Sequence, residues 1–219
     1  GTQISNLSPI DSLSNLTELN ASRTLVENVS PLRTLKNLAV LDLVSTQVSY
    51  IKPLSELQNL KILRMNYTMI SDLNALEGLP HIERVYCDQT KINREMADAF
   101  MTARKGVLVI YNSKDLKGWW QSLPIAWQKV FPDAAGTASS PSNEELTKIT
   151  NLDSVNISNN AAITDIEPLE RLQEIQTLIA NNTGISNLLP LQGHKGIKTL
   201  DISNTEVTDI SLLQQFTGL

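Results

Sequence analysis

Apolar residues recur along this chain in a frame of 22 residues that reads L-x-x-L-x-L-x-x-T-x-I-x-x-I-x-P-L-x-x-L-x-x. The clearest copy runs from Leu38 to Asn59. Copies begin without a gap at Leu16, Leu38, Leu60 and Ile82, and again at Ile175 and Ile197. A fixed short period of this kind indicates a repeat architecture, in which each unit packs only on its neighbours.

The first part of each copy predicts a short strand, because apolar and polar residues alternate there. Positions four and six then point into the core, and positions three, five and seven point to the opposite face. The predicted inward pairs are Leu19 and Ala21, Leu41 and Leu43, Leu63 and Met65, and Val85 and Cys87. The predicted strands lie near 18–22, 40–44, 62–66, 84–88, 107–111, 154–158, 177–181 and 199–203.

The second part of each copy predicts a turn followed by a short helix. Position nine is threonine in six copies, and its hydroxyl can bond turn backbone that would otherwise be buried and unpaired. A Pro-Leu pair such as Pro53-Leu54 follows, and proline favours the first position of a helix because its missing N–H would be unpaired there. Each copy therefore predicts one strand and one short helical turn.

This pattern resembles the leucine-rich repeat, in the 22-residue form found in bacterial internalin-type surface proteins and in a eukaryotic phosphatase-regulator family. The resemblance covers about residues 4–112 and 143–219, with threonine at position nine where the family usually has asparagine. It implies an α/β fold, namely a right-handed solenoid with a parallel concave sheet and short convex helices.

The frame breaks in the middle of the chain. Residues 93–106 predict a longer helix, and residues 107–111 predict one further strand with Leu108 and Ile110 pointing inward. Residues 113–150 carry all three tryptophans at helical spacing and predict a helical cap that seals a second array; a tryptophan-rich carbohydrate or partner site is the alternative. The predicted division is a first array at 1–112, the cap and linker at 113–150, and a second array at 151–219.

Composition argues against several classes of function. The net charge is -5 with no dense basic face, so we expect no nucleic-acid partner. No apolar run approaches 18 residues, so no membrane-spanning segment is expected. The single cysteine, Cys87, fits a buried core position better than a reactive thiol. His81 and His194 lack a nucleophile in register, and there is no phosphate loop or metal-ligand cluster, so we expect no enzyme, cofactor or metal.

The outward face of the first array carries the candidate binding residues. Exposed arginine and tyrosine are enriched at binding hot spots. The candidate ligand-binding residues on this concave face are Arg64, Tyr67, Arg84 and Tyr86, with Asp42 and Asp88 beside them. The corresponding face of the second array is small and polar and predicts nothing specific.

These observations favour a non-enzymatic module that presents a concave face to a protein or glycan. The internalin-type resemblance implies part of a larger bacterial surface or secreted protein, outside the cell. The phosphatase-regulator resemblance implies the alternative, a cytoplasmic scaffold that grips a partner enzyme. Fold alone is a weak argument for either function.

Overall fold

The structure is a computed structural model that describes residues 2–172 and 174–219. The chain divides into two compact units: the first ends at Ser113 and the second begins at Lys114. Each unit has its own parallel sheet and its own hydrophobic core. Among the described residues, no helix has the length and apolar character needed to cross a bilayer.

The first unit is a parallel sheet whose strands follow one another in chain order. Its strands are β1 (Glu18–Asn20), β2 (Val40–Asp42), β3 (Ile62–Arg64), β4 (Arg84–Tyr86) and β5 (Leu108–Ile110). The first four pair residue for residue at the 22-residue spacing of the sequence frame. Short 3-10 turns connect the first four strands at Ser30–Thr34, Lys52–Glu56 and Asn74–Leu76, and another such turn, at Ser8–Ile10, precedes β1. The sequence prediction of one strand and one helical turn for each repeat is confirmed.

The core of the first unit lies between the sheet and these turns. The predicted inward residues Leu41, Leu43, Leu63 and Met65 are fully buried, whereas Leu19 on the edge strand β1 is only half-buried. From the other side, the third residue of each connecting turn is a buried leucine that closes the core, as Leu54 does. Burying such a leucine stabilises the fold by about 1.5–3 kcal/mol relative to leaving it exposed.

The threonine at position nine makes the same hydrogen bond in every repeat where it occurs. Its hydroxyl donates to the carbonyl of the residue three positions earlier, at 2.7 Å in each case. The donor–acceptor pairs are Thr24–Ala21, Thr46–Leu43, Thr68–Met65, Thr90–Cys87, Thr183–Ala180 and Thr205–Ile202. The bond satisfies a carbonyl at the end of each strand, as the sequence predicted, so threonine serves as the turn residue of this repeat.

The helix α1 (Arg94–Ala103) replaces a short turn after β4. Its first turn is capped by Asn93, whose side chain accepts the Met96 N–H at 2.9 Å. Its inner face buries Phe100 and Met101 in the core of the first unit. Capping of this kind contributes about 1 kcal/mol and explains why the helix starts at this position.

The prediction that Leu108 and Ile110 point inward is wrong. Leu108 pairs with Arg84 in the outward row and is half-buried, while Val109 pairs with Val85 and is fully buried in the core. The predicted strands at 84–88 and 107–111 set Val107 opposite Arg84, whereas the connection through α1 places Leu108 there, so the strand is shifted by one residue from the predicted register. Such a shift exchanges the two faces of a strand. Ile110 is nevertheless buried, at an outward position in register with Tyr86.

The second unit combines three helices with a three-stranded parallel sheet. The helices are α2 (Ser113–Ser122), which begins at the last residue of the first unit, α3 (Ile125–Ala135) and α4 (Asn143–Thr150). The strands are β6 (Ser154–Asn156), β7 (Thr177–Ile179) and β8 (Thr199–Asp201), connected by 3-10 turns at Glu167–Arg171 and Leu189–Leu191. A third such turn, at Ser211–Gln215, follows β8.

Aromatic side chains join these helices to the core of the second unit. Trp127 and Phe131 on α3 are buried, with ring centroids 5.0 Å apart, and the Trp127 indole N–H donates to the carbonyl of Asp165 at 3.2 Å. Trp119 and Trp120 are half-buried and pack against the same cluster. The segment is therefore helical and contributes to the core next to β6, while its role as a cap stays a prediction.

The start of α4 is fixed by a capping box. The Ser142 hydroxyl accepts the Glu145 N–H at 3.3 Å, and the Glu145 carboxylate accepts the Ser142 N–H at 2.8 Å. The backbone N–H of Ser142 is the main reason that the pKa of Glu145 lies below its usual value. Two donors that helix formation would leave unpaired are thus satisfied.

Candidate functional site

The sheet of the first unit aligns most of the candidate residues on its outward face. Asp42, Arg64 and Tyr86 are direct neighbours across β2, β3 and β4, and Arg84 lies opposite Ile62 in the adjacent row. Neighbouring strands are about 4.8 Å apart, so one ligand group can reach side chains from two or three repeats. This register therefore places Asp42, Arg64, Arg84 and Tyr86 on one face of the sheet.

The Arg64 guanidinium lies over the ring of Tyr86, with its central carbon 5.5 Å from the ring centroid. Both side chains are half-buried. Within residues 2–172 and 174–219, Arg64 forms no ion pair with a carboxylate. A guanidinium held against an aromatic face keeps its in-plane N–H donors available for a carboxylate or another planar acceptor.

Arg84 is half-buried and lies beside its sequence neighbour Glu83. Its Nη1 atom is 3.5 Å from Oε2 of Glu83, and about half of the Glu83 side chain is exposed. An exposed pair with this separation contributes little to stability, in the range of about 0–1 kcal/mol. The contact orients Arg84 on the surface and does not bury its charge.

The two candidate aspartates accept hydrogen bonds from their own chain. The Asp42 carboxylate accepts the Val44 N–H at 2.9 Å and shapes the turn after β2. The Asp88 carboxylate accepts both the N–H of Ser113, at 2.6 Å, and the Ser113 hydroxyl, at 2.7 Å. Both carboxylates are therefore hydrogen-bonded within the fold, and their part in ligand binding stays a prediction.

Tyr67 lies at the rim of the sheet, in the turn that follows β3. Its backbone has φ 58°, its side chain is 61% exposed, and its N–H donates to the Asp88 carbonyl at 2.8 Å. It is the most exposed of the six candidates. Sequence reasoning predicted its exposure but missed its backbone conformation.

A residue with positive φ follows the strand in each regular repeat. In the first unit these residues are Arg23, Ser45, Tyr67 and Gln89, with φ between 55° and 58°; in the second they are Asn159, Asn182 and Asn204, with φ between 53° and 57°. Asparagine is several-fold enriched in this left-handed region and bulky side chains are uncommon there. The residue at this position is asparagine in every regular repeat of the second unit and in none of the first. This difference is visible in the sequence and could have identified the row of positive-φ residues.

The asparagines of the second unit also bond to one another. The Asn182 amide donates to the Asn159 side-chain oxygen at 2.8 Å, and the Asn204 amide donates to that of Asn182 at 2.9 Å. The outward strand positions beside them carry small polar residues such as Ser154 and Thr177. The side chains of these three turn asparagines are thus engaged in hydrogen bonds within the fold.

Other reactive side chains are buried or structural. Cys87 is buried, and burial raises the pKa of its thiol, so little thiolate forms at neutral pH. His194 is buried at a position where the first three copies of the repeat place a leucine. In the part of the chain that the structure describes, no group of three or more His, Cys, Asp or Glu residues is arranged to hold a metal ion.

Three features recur together in both units: parallel strands in the register of the sequence repeat, a hydroxyl-to-carbonyl bond after the strand, and a 3-10 turn behind it. Each unit has the leucine-rich repeat fold. Its solenoid places the strands side by side and their outward side chains in rows across the sheet. The sequence resemblance to the 22-residue leucine-rich repeat is confirmed at the level of the fold.

Solved structures of leucine-rich repeat proteins match nearly the whole chain. Internalin C2 of Listeria monocytogenes is 21% identical over 99% of this chain and 65% of its own, with a TM-score of 0.39. The functional domain of InlJ from the same bacterium is 17% identical over 99% of this chain and 40% of its own, with a TM-score of 0.43. A chain in the crystal structure of the TLR13–ssRNA13 complex is 16% identical over 98% of this chain and 25% of its own, with a TM-score of 0.38.

The chain spans less than two thirds of the length of each of these structures. No protein-family model and no curated protein sequence matches it at a significant level. The fold assignment therefore rests on the repeat geometry described above.

Proposed function

We propose that this chain is a non-enzymatic binding module whose ligand site is the outward face of β2, β3 and β4. The observation that carries the proposal is the Arg64–Tyr86 pair. In the part of the chain that the structure describes, it holds a guanidinium without an acidic partner on a surface of aromatic and apolar side chains. Arginine and tyrosine at such positions are the residue types that dominate binding energy in protein interfaces.

The partner that fits this face best is a protein, with a glycan as the alternative. Val40 and Ile62 are half-buried neighbours in the row next to Arg64 and add apolar surface for a partner to cover. The net charge of -5 makes a polyanion such as nucleic acid an unfavourable ligand. We place the module on a bacterial surface or in a secreted protein; a cytoplasmic scaffold that holds an enzyme is the second candidate.

Site-specific photo-crosslinking of the full chain tests this proposal. A photoreactive phenylalanine derivative replaces Val40 in one protein and Thr177 in a second protein as the matched control. Val40 is the first residue of β2, and Thr177 is the first residue of β7. Both side chains are half-buried on the outward face of their sheet. Each protein is exposed to separate surface and cytosolic fractions of the native cell.

We expect a protein to be crosslinked from position 40 and not from position 177. Excess wild-type chain should suppress the crosslink, whereas a variant with Arg64, Tyr67, Arg84 and Tyr86 all replaced by alanine should not. The fraction that supplies the partner decides between the surface module and the cytoplasmic scaffold. Equal crosslinking from both positions, or no crosslink from either position, would contradict the proposal. Equal suppression of the crosslink by the wild-type chain and by the alanine variant would also contradict it.

A further inference from the structure

The turn rim of the first unit is built differently from that of the second. By turn rim we mean the positive-φ residues after β1, β2, β3 and β4 and the residues two positions beyond them: Arg23, Leu25, Ser45, Gln47, Tyr67, Met69, Gln89 and Lys91. All of them are exposed. The first unit thus holds a bulky tyrosine in a backbone conformation that the second unit always gives to asparagine. Folding alone favours asparagine there.

Large apolar side chains are exposed at the centre of this rim. Tyr67 is 61% exposed and Met69 is 55% exposed. The Met69 N–H donates to the carbonyl of Val48, and Tyr50, two residues further along, is 66% exposed. The equivalent turn in the second unit carries Asn182 and Gly184. The exposed side chains of Tyr67 and Met69 and the positive φ of Tyr67 therefore occur in the same turn. Neither feature stabilises the fold.

The charges around Tyr67 and Met69 favour a negatively charged occupant. Arg64 on the sheet and Lys91 in the next turn form no ion pair within residues 2–172 and 174–219. The nearby carboxylates, including that of Asp42 opposite Arg64, accept hydrogen bonds within the fold: Asp42 accepts the Val44 N–H at 2.9 Å, Asp72 accepts the Asn74 N–H at 3.1 Å, and Asp88 accepts two hydrogen bonds from Ser113. Two cations that form no ion pair among the described residues thus flank the exposed apolar side chains.

We propose that the turn rim around Tyr67 and Met69 is the docking surface for an acidic polypeptide segment that also carries large apolar side chains. Its carboxylates meet Arg64 and Lys91, and its apolar side chains cover Tyr67, Met69 and Tyr50. This inference rests on the proposed function, because it names the chemistry of the partner that the outward face receives. It extends the site from the strands to the turns.

Selection from a displayed library of random peptides tests this inference on the full chain. The peptides have about 12 residues, which at about 3.3 Å per residue is long enough to cross the four turns of the rim. Enriched peptides are synthesised, and their dissociation constants are measured for the wild type and for four variants. The rim variant is Tyr67→Asn with Met69→Gln, which uses residues that other repeats of this chain place at the same positions.

The remaining variants separate charge, sheet face and nonspecific loss of apolar surface. Lys91→Glu reverses one flanking charge. Arg84→Ala with Tyr86→Ala removes sheet residues outside the rim. Ile125→Gln is the matched control, because Ile125 is 73% exposed at the start of α3, in the second unit. Thermal unfolding of every variant confirms that binding is compared between folded proteins.

We expect the enriched peptides to contain more Asp and Glu than Lys and Arg, together with aromatic or large aliphatic residues. The rim variant should weaken their binding at least about tenfold, as expected for loss of a hot-spot contact. Lys91→Glu should weaken it about fivefold or more, and Ile125→Gln should leave it within about twofold.

Two groups of results would overturn the inference. Basic peptides, no enrichment, or peptides that bind the rim variant as tightly as the wild type would exclude the rim as the docking surface. If such peptides still depend on Arg84 and Tyr86, the proposed function stands and only the extension to the rim fails. Peptides that are insensitive to both the rim and the sheet variants would contradict both.

Discussion

Arg64 and Tyr86 are direct neighbours on adjacent strands, and the guanidinium carbon of Arg64 lies 5.5 Å from the centroid of the Tyr86 ring. The 22-residue repeat places them opposite one another, since each occupies the fifth position of its own copy. The contact fixes two long side chains on the outward face before any partner arrives. It reduces the side-chain entropy that binding would otherwise remove.

A double-mutant cycle measures this contact. Arg64→Gln, Tyr86→Leu and the double variant are compared by urea unfolding with the wild type. We expect a coupling free energy of about 0.5–1 kcal/mol, because the pair is half-buried and partly screened by water. Additive effects of the two substitutions would show that the side chains do not interact in solution.

The inward assignment of position six is tested by Leu43→Asp. The side chain of Leu43 is fully buried in the first unit, so a carboxylate there has no partner and should cost several kcal/mol of unfolding free energy. Val44→Asp is the control, because Val44 is the next residue and is half-exposed on the other side of the chain. Equal loss of stability in the two variants would show that the alternation of faces is assigned wrongly.

The threonine hydrogen bond is tested by Thr68→Val, which keeps the shape of the side chain and removes its hydroxyl. The Met65 carbonyl would then lose its partner at a buried position, so we expect a loss of about 1–2 kcal/mol in urea unfolding. Thr17→Val is the control, since Thr17 is exposed. A stability equal to that of the wild type would mean that water replaces the hydroxyl.

The repeat spacing was enough to predict the strands, the inward residues of the regular copies and the threonine bond. It failed at β5, where the helix α1 changes the spacing and the buried residue is Val109. It also missed the bond between Asp88 and Ser113, because that contact joins a regular repeat to the irregular segment after it. Periodicity predicts what repeats; contacts at the ends of the repeats depend on three-dimensional packing.

The strain at Tyr67 predicts an unusual result for Tyr67→Asn. Asparagine tolerates the left-handed backbone better than tyrosine, so this substitution should raise the free energy of unfolding by about 0.5–1 kcal/mol. Tyr50→Asn is the control, because it removes an exposed tyrosine that has no positive φ. A lower stability for Tyr67→Asn than for Tyr50→Asn would show that the tyrosine ring contributes to the fold.

We propose that the outward face of the first unit binds the partner and that the outward face of the second unit does not. The direct test is the affinity of the crosslinked partner for the variant with Arg64, Tyr67, Arg84 and Tyr86 replaced by alanine. The control variant replaces Thr177, Ile179 and Thr199 of the second unit by alanine, and circular dichroism verifies that both are folded. We predict that the first variant binds about 30-fold more weakly, or about 2 kcal/mol, and the control within about twofold of the wild type. Unchanged affinity of the first variant, or an equal loss in both variants, would show that the outward face of the first unit is not the binding site.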